Sequence, residues 1–184
     1  MGKRILVITG SPRKGGNSDH LADAFTKGAQ AAGHTVDRFE AAHHEISGCK
    51  ACDTCWSKGV PCSYSDAFNT DFAPLLEQAD MLVFCMPLYF YGWPAQIKAP
   101  LDKMYAYAGE KSLRRPHLTE SAFIICGEEK TEGPYSGAVE SYRQVSGYCG
   151  WKDRGILVAT GVWSKGDIHG TGFLAKAEAL GQSI

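Results

Sequence analysis

Five short apolar runs, each followed by a stretch of helical character, set the tightest limit on what this chain can fold into. The first, RILVITG (4–10), is continuous and ends in glycine. Such a run suits a strand buried on both faces of a parallel sheet. Weaker or similar runs follow at TVDRFEA (35–41), DMLVFCMP (80–87), SAFIICG (121–127) and RGILVATG (154–161). Between them lie helical segments at 17–34, 69–79, 93–108 and 137–150, with a last one at 171–181. In the first helix Asn17 or Ser18 can cap the start and Gly33 the end. Pro100 lies inside the 93–108 segment and predicts a kink or a break there. Strand and helix alternating five times argue an α/β fold, a doubly wound five-stranded parallel sheet with helices on both faces.

The length of 184 residues fits one domain, 1–184, with a cysteine-containing insertion at about 41–65. The net charge of -1 leaves no electrostatic footprint for nucleic acid or an anionic membrane. No apolar run approaches the roughly 18 residues that a membrane span needs. The apolar stretch of the N-terminus is too short for a signal-peptide core, so a cytoplasmic setting with reduced thiols is expected. Seven cysteines, an odd count, also fit a disulfide framework poorly.

Open α/β sheets bind ligands beyond the carboxyl ends of their strands, so the loops there carry most information. The first, GSPRKGGNSD, places Ser11, Arg13, Asn17 and Ser18 ahead of a helix. Free N–H groups and the helix dipole make such a terminus an anion site, with Ser and Asn as neutral donors and Arg13 as a charged fork. No Gly-Lys-Ser/Thr follows at P-loop spacing and no G-x-G-x-x-G occurs here, so a terminal monophosphate is the expected ligand. Gly170 to Ala175 fits G-x-G-x-x-A by letter, but no further strand follows and it reads as a chance match. After the third run come Pro87, Leu88, Tyr89, Phe90, Tyr91, Gly92 and Trp93. Four aromatics in five positions at a strand-to-helix turn suit the face of a flat conjugated ligand, with a hydrophobic plug or a subunit interface as the alternatives.

GSPRKGGNS after the first run, together with PLYFYGWPAQIKAPLDK after the third, resembles the flavodoxin-like NAD(P)H-dependent FMN reductases, and the resemblance runs nearly end to end. It implies that Ser11, Arg13, Asn17 and Ser18 hold the FMN phosphate. It implies that Pro87, Leu88, Tyr89, Phe90, Tyr91 and Gly92 run along the ring and ribityl chain, with Gly127 near the ring. Glu128 and Glu129 depart from the small residues expected beside Gly127.

Cys49, Cys52, Cys55 and Cys62 form C-x2-C-x2-C-x6-C. The compact C-x2-C-x2-C core suits iron–sulfur ligation better than structural zinc, which more often uses two separated knuckles. Ordinary or redox-active thiols are the other reading. The stretch is similar to that of the iron–sulfur flavoproteins, which implies a [4Fe–4S] cluster on these four residues. Cys85 and Cys126 fall in strands and read as core. His43 and His44 read as part of a solvated loop, and His20, His34, His117 and His169 as isolated residues. No zincin or nucleophile-elbow motif occurs, and no catalytic side chain is assigned: the chemistry is expected to be centred on the flavin.

The expected function is thus an FMN-dependent oxidoreductase. It would take electrons from NAD(P)H or another donor and pass them to a small acceptor such as a quinone. A flavodoxin-type electron carrier serving a redox protein partner is the alternative, and a flavin-free interaction domain a third. The resemblance also implies a homodimer or homotetramer.

Overall fold

In this computed structural model, residues 2–109 and 112–184 are described. Five strands form one sheet: β1 (Arg4–Thr9), β2 (Thr35–Glu40), β3 (Met81–Pro87), β4 (Glu120–Cys126) and β5 (Lys152–Ala159). Their order is β2-β1-β3-β4-β5, with every neighbouring pair parallel. The three inner strands are the continuous apolar runs, because helices cover both of their faces. The outer strands β2 and β5 alternate less cleanly and are only partly buried.

Among the described residues, six α-helices accompany them: α1 (Asn17–Ala31), α2 (Thr54–Lys58), α3 (Ala73–Leu76), α4 (Ala95–Lys103), α5 (Ser136–Cys149) and, after the last strand, α6 (Phe173–Gln182). Successive residues of a strand point to opposite faces, and β1 shows how this divides the core. Ile5 and Val7 pack with Leu21 and Phe25 of α1. Leu6 and Ile8 pack on the other face with Phe72, Leu76 and Phe84. Burying each such side chain stabilises the fold by roughly 1.5–3 kcal/mol. Helices α1 and α6 approach backbone to backbone. A Cβ on Gly28 would lie 2.0 Å from the Glu178 carbonyl oxygen, and one on Gly181 would lie 2.2 Å from that of Phe25.

Three local outcomes differ from the sequence reading. The helix expected at 69–79 is a π-helical turn, Phe68–Phe72, followed by the short α3. Pro100 does not break α4, which continues to Lys103 and then tightens into a 3-10 turn at Met104–Tyr107. The 41–65 stretch is irregular, as expected, but contains α2. Among the described residues, no helix is long and apolar enough to cross a membrane.

The sheet order positions the site. From β1 the chain crosses to β2 on one side, while β3 pairs with β1 on the other. Loops leaving β1 and β3 therefore diverge and open a crevice at their carboxyl ends.

Candidate functional site

That crevice is a cavity of about 500 Å³, within the range that takes a cofactor-sized ligand. At one end lies the loop after β1. Ser11 is buried, and its Oγ accepts the Arg13 N–H at 3.1 Å. The Gly16 N–H closes a turn on the Arg13 carbonyl at 3.0 Å. No side chain caps α1, and first-turn N–H groups have no intrahelical acceptor, so those of Asn17 and Ser18 are left for a ligand. Asp19, although acidic, is committed elsewhere: it accepts the Gly15 N–H at 2.8 Å and pairs with Arg38 at 2.9 Å. Neutral donors, an uncapped helix start and the Arg13 guanidinium on the cavity wall make a donor set that fits a phosphate monoester.

At the other end the chain leaving β3 makes a tight turn. Tyr89 and Gly92 exchange backbone hydrogen bonds at 3.2 and 3.0 Å. Phe90 and Tyr91 between them are both left-handed, with φ of 47° and 63°. This is the geometry that Asn-Gly normally supplies, and aromatic residues adopt it at a cost. Phe90 is 100% exposed. The Tyr91 hydroxyl reaches across to Glu129 at 3.3 Å. Trp93 turns away from the cavity; its indole N–H donates to the Ala138 carbonyl at 2.9 Å and its ring lies against Phe84 and Phe123.

The loop after β4 forms the floor. Leu88 N–H bonds the Cys126 carbonyl at 2.7 Å, and Gly127 N–H bonds Ala159 at 3.2 Å. A Cβ on Gly127 would come within 3.0 Å of the Tyr135 hydroxyl and 3.3 Å of Leu88 Cβ, so this floor is closely fitted. Burial pushes the Cys126 thiol up to about 12. Burial raises Cys85 as well, and its thiol donates to the Ser18 carbonyl at 3.1 Å. Neither is a thiolate nucleophile.

The cavity thus gathers Ser11, Arg13, Asn17 and Ser18 with Pro87 through Tyr91 and Gly127. Gly92 stands outside the wall and closes the turn. The Asn17 side chain is occupied: its Nδ2 donates to the Ser164 carbonyl at 2.9 Å, and its Oδ1 accepts the N–H groups of Gly166 and Ile168 at 3.1 and 3.3 Å. The sequence reading missed the loop after β5, whose Val162, Trp163 and Lys165 also line the cavity. The only signal for it was its position beyond a strand's carboxyl end. His20 and His169, read as isolated, place their rings 4.4 Å apart.

The four segment cysteines border one small cavity of about 20 Å³, shared with Lys103 and Tyr105. Their thiols do not converge as a ligand set. Among the described residues, no group of three or more Cys, His, Asp or Glu is arranged to hold a metal ion. Cys52 and Cys49 instead make local contacts, to Ser63 Oγ at 3.5 Å and from the Ala51 N–H at 3.4 Å. Hydrogen bonds from Thr54 and then Ser63 bring the Cys52 thiol down to about 7. Burial, with the neighbouring Cys49 and Cys52, raises Cys55. His44 stacks on Phe39 at 4.4 Å, away from the cysteines.

A family model described as NADPH-dependent FMN reductase matches residues 3–129. An iron–sulfur flavoprotein of Archaeoglobus fulgidus is 28% identical over 98% of this chain and 78% of its own length. Another, from Methanosarcina thermophila, is 31% identical over 54% of this chain and 51% of its own length. Among solved structures, an NAD(P)H:quinone oxidoreductase from Methanothermobacter marburgensis superposes with a TM-score of 0.78 at 20% identity, covering 99% of this chain and 96% of that one. An azoreductase from Bacillus anthracis gives 0.70 at 18% identity, covering 99% of this chain and all of that one. At these identities the two structures speak for the fold alone.

Proposed function

Because the chain belongs to the NADPH-dependent FMN reductase family, and is an NAD(P)H-dependent flavoprotein oxidoreductase, we propose that its acceptor is a small quinone and that FMN lies along the β1–β3 crevice. One observation carries this reading: a single cavity runs from the anion-binding loop after β1 to the aromatic turn after β3. In the balanced reaction, NAD(P)H and one proton give two electrons and two protons to the quinone, leaving NAD(P)⁺ and a hydroquinone. FMN, when bound, supplies the two-electron chemistry. The chain's own residues bind and orient. Ser11, Arg13, Ser18 and the N–H of Asn17 hold the phosphate. Pro87 through Tyr91 and Gly127 would hold the ring, with Gly92 closing the turn that carries them, and Tyr89, Phe90 and Tyr91 would limit the access of water to it. No side chain is needed as a general acid or base.

Preparations should be yellow or take up FMN stoichiometrically, and NAD(P)H oxidation should accelerate on adding a benzoquinone. A protein that binds no FMN would overturn the reading. Flavin reduced by NAD(P)H that returns electrons only to a protein partner would replace the enzyme with an electron carrier. A homodimer or homotetramer belongs to the same reading, with the exposed Phe90 turn available for contact; sedimentation tests it.

A second reading concerns Cys49, Cys52, Cys55 and Cys62 as ligands of a [4Fe–4S] cluster. Their spacing supports it, as do the names of the relatives from Archaeoglobus fulgidus and Methanosarcina thermophila. As arranged here the thiols do not form the ligand set, and no electron step is drawn through it. Anaerobic reconstitution decides: about four irons per chain and a brown spectrum establish the cluster, and no bound iron removes it.

A further inference from the structure

The loop after β5 lies beyond the 3–129 region that the family match covers, yet it is tied closely to the anion site. Asp167 Oδ2 accepts the N–H groups of Trp163 and Ser164 at 2.9 and 2.7 Å, which folds the loop on itself. The side chain of Asn17 then latches it to the first residue of α1 through the three bonds given above. Latching brings two side chains over the loop after β1. Trp163 lies under the Arg13 guanidinium, 5.8 Å from ring centroid to carbon. The head of Lys165 lies over Gly15, where an added Cβ would be 3.2 Å from both Cε and Nζ. Gly15 has φ of 64°, so glycine serves both the left-handed turn and the space for the lysine.

Charge gives this arrangement a purpose. A phosphate monoester carries about two negative charges near neutral pH. Among the described residues, Arg13 and Lys165 are the two cationic side chains on the cavity wall, and Glu128 and Glu129 stand on the wall formed by the loop after β4. Arg13 alone leaves one charge uncompensated.

We propose that Lys165 is the second cation of the phosphate site, and that Asn17 acts through its side chain as a positioning residue that holds the β5 loop, and with it Lys165, in place. The proposal rests on the flavin reading and assigns Asn17 a different task from that of direct phosphate ligand.

Two ligands separate the possibilities: FMN and riboflavin, which lacks the phosphate. Both are titrated into flavin-free protein and followed by quenching of flavin fluorescence. Lys165→Met should weaken FMN binding about tenfold while leaving riboflavin unchanged, and Lys165→Arg should restore most of the loss. Asn17→Ala should show the same selective loss for FMN, and the double variant should be no weaker than Lys165→Met alone, because the two act as one unit. An unchanged FMN affinity in Lys165→Met, or equal losses for FMN and riboflavin, overturns the proposal while the flavin reading stands. Wild-type protein that binds neither ligand overturns both.

Discussion

Lys103, the last residue of α4, carries a buried ammonium that is ion-paired with Asp66 at the far end of the cysteine segment. The same carboxylate oxygen accepts the Ser47 N–H at 3.0 Å and its hydroxyl at 2.9 Å, while the other accepts the Phe68 N–H at 3.0 Å. Residues 48–65 thus leave and rejoin the body of the protein at one carboxylate. Breaking a buried pair leaves one charge uncompensated. Lys103→Met should therefore lower stability by about 3 kcal/mol, read as a shift of the urea midpoint, and should speed proteolysis within 48–65.

The pH dependence of that anchor follows from its hydrogen bonds. Burial alone would raise the Asp66 pKa, but donors from Lys103 and Ser47 outweigh it and lower the value below the ordinary 3.8. The folded chain then binds the proton less readily than the unfolded one. Its contribution is complete above the ordinary carboxylate range and is lost as pH falls through the lowered folded value. Wild type should exceed Asp66→Asn in urea midpoint near neutral pH, with the gap closing as pH falls below the ordinary carboxylate range.

Among the segment thiols, Cys52 should react first. Its pKa of about 7 predicts iodoacetamide labelling that reaches half its limiting rate near neutrality, whereas Cys85 and Cys126 stay unlabelled in the folded protein. Thr54→Ala or Ser63→Ala should move the midpoint upward, because each removes a hydroxyl that stabilises the thiolate. Mass spectrometry of the labelled peptide checks both.

Phe90 gains nothing from burial, being 100% exposed, and occupies a left-handed position that disfavours its side chain. Asn tolerates that conformation. Phe90→Asn should stabilise the flavin-free protein by about 1 kcal/mol in thermal unfolding and raise KM for the quinone. A strained aromatic that serves no ligand would raise stability with no change in KM.

The three inner strands were legible because both-face burial demands continuous apolar runs, and Leu82 to Met86 obey that demand without exception. Ser11, Arg13 and the aromatic turn were legible because the chemistry of an anion or a flat ring restricts which residues can follow a strand. Asn17 shows the limit. Its residue type suggested a phosphate donor, but its side-chain partners lie 147 to 151 positions along the chain, and no local pattern encodes them. Trp163 and Lys165 were invisible for the same reason. Helix α4 passed Pro100 because the packing of Ile97, Pro100 and Lys103 into the interior overrides the loss of one N–H donor.

The close approach of Gly28 to Glu178 and of Gly181 to Phe25 has a bearing on biosynthesis. Helix α1 precedes four of the five strands along the chain, whereas the loop after β5 and α6 follow all five. Until α6 docks, the helix that presents the anion loop lacks its neighbour, and until the loop after β5 has been made Asn17 has nothing to latch. The nascent chain can complete all five strands without a finished pocket, so flavin capture should follow synthesis of the loop after β5 rather than guide the folding of the strands.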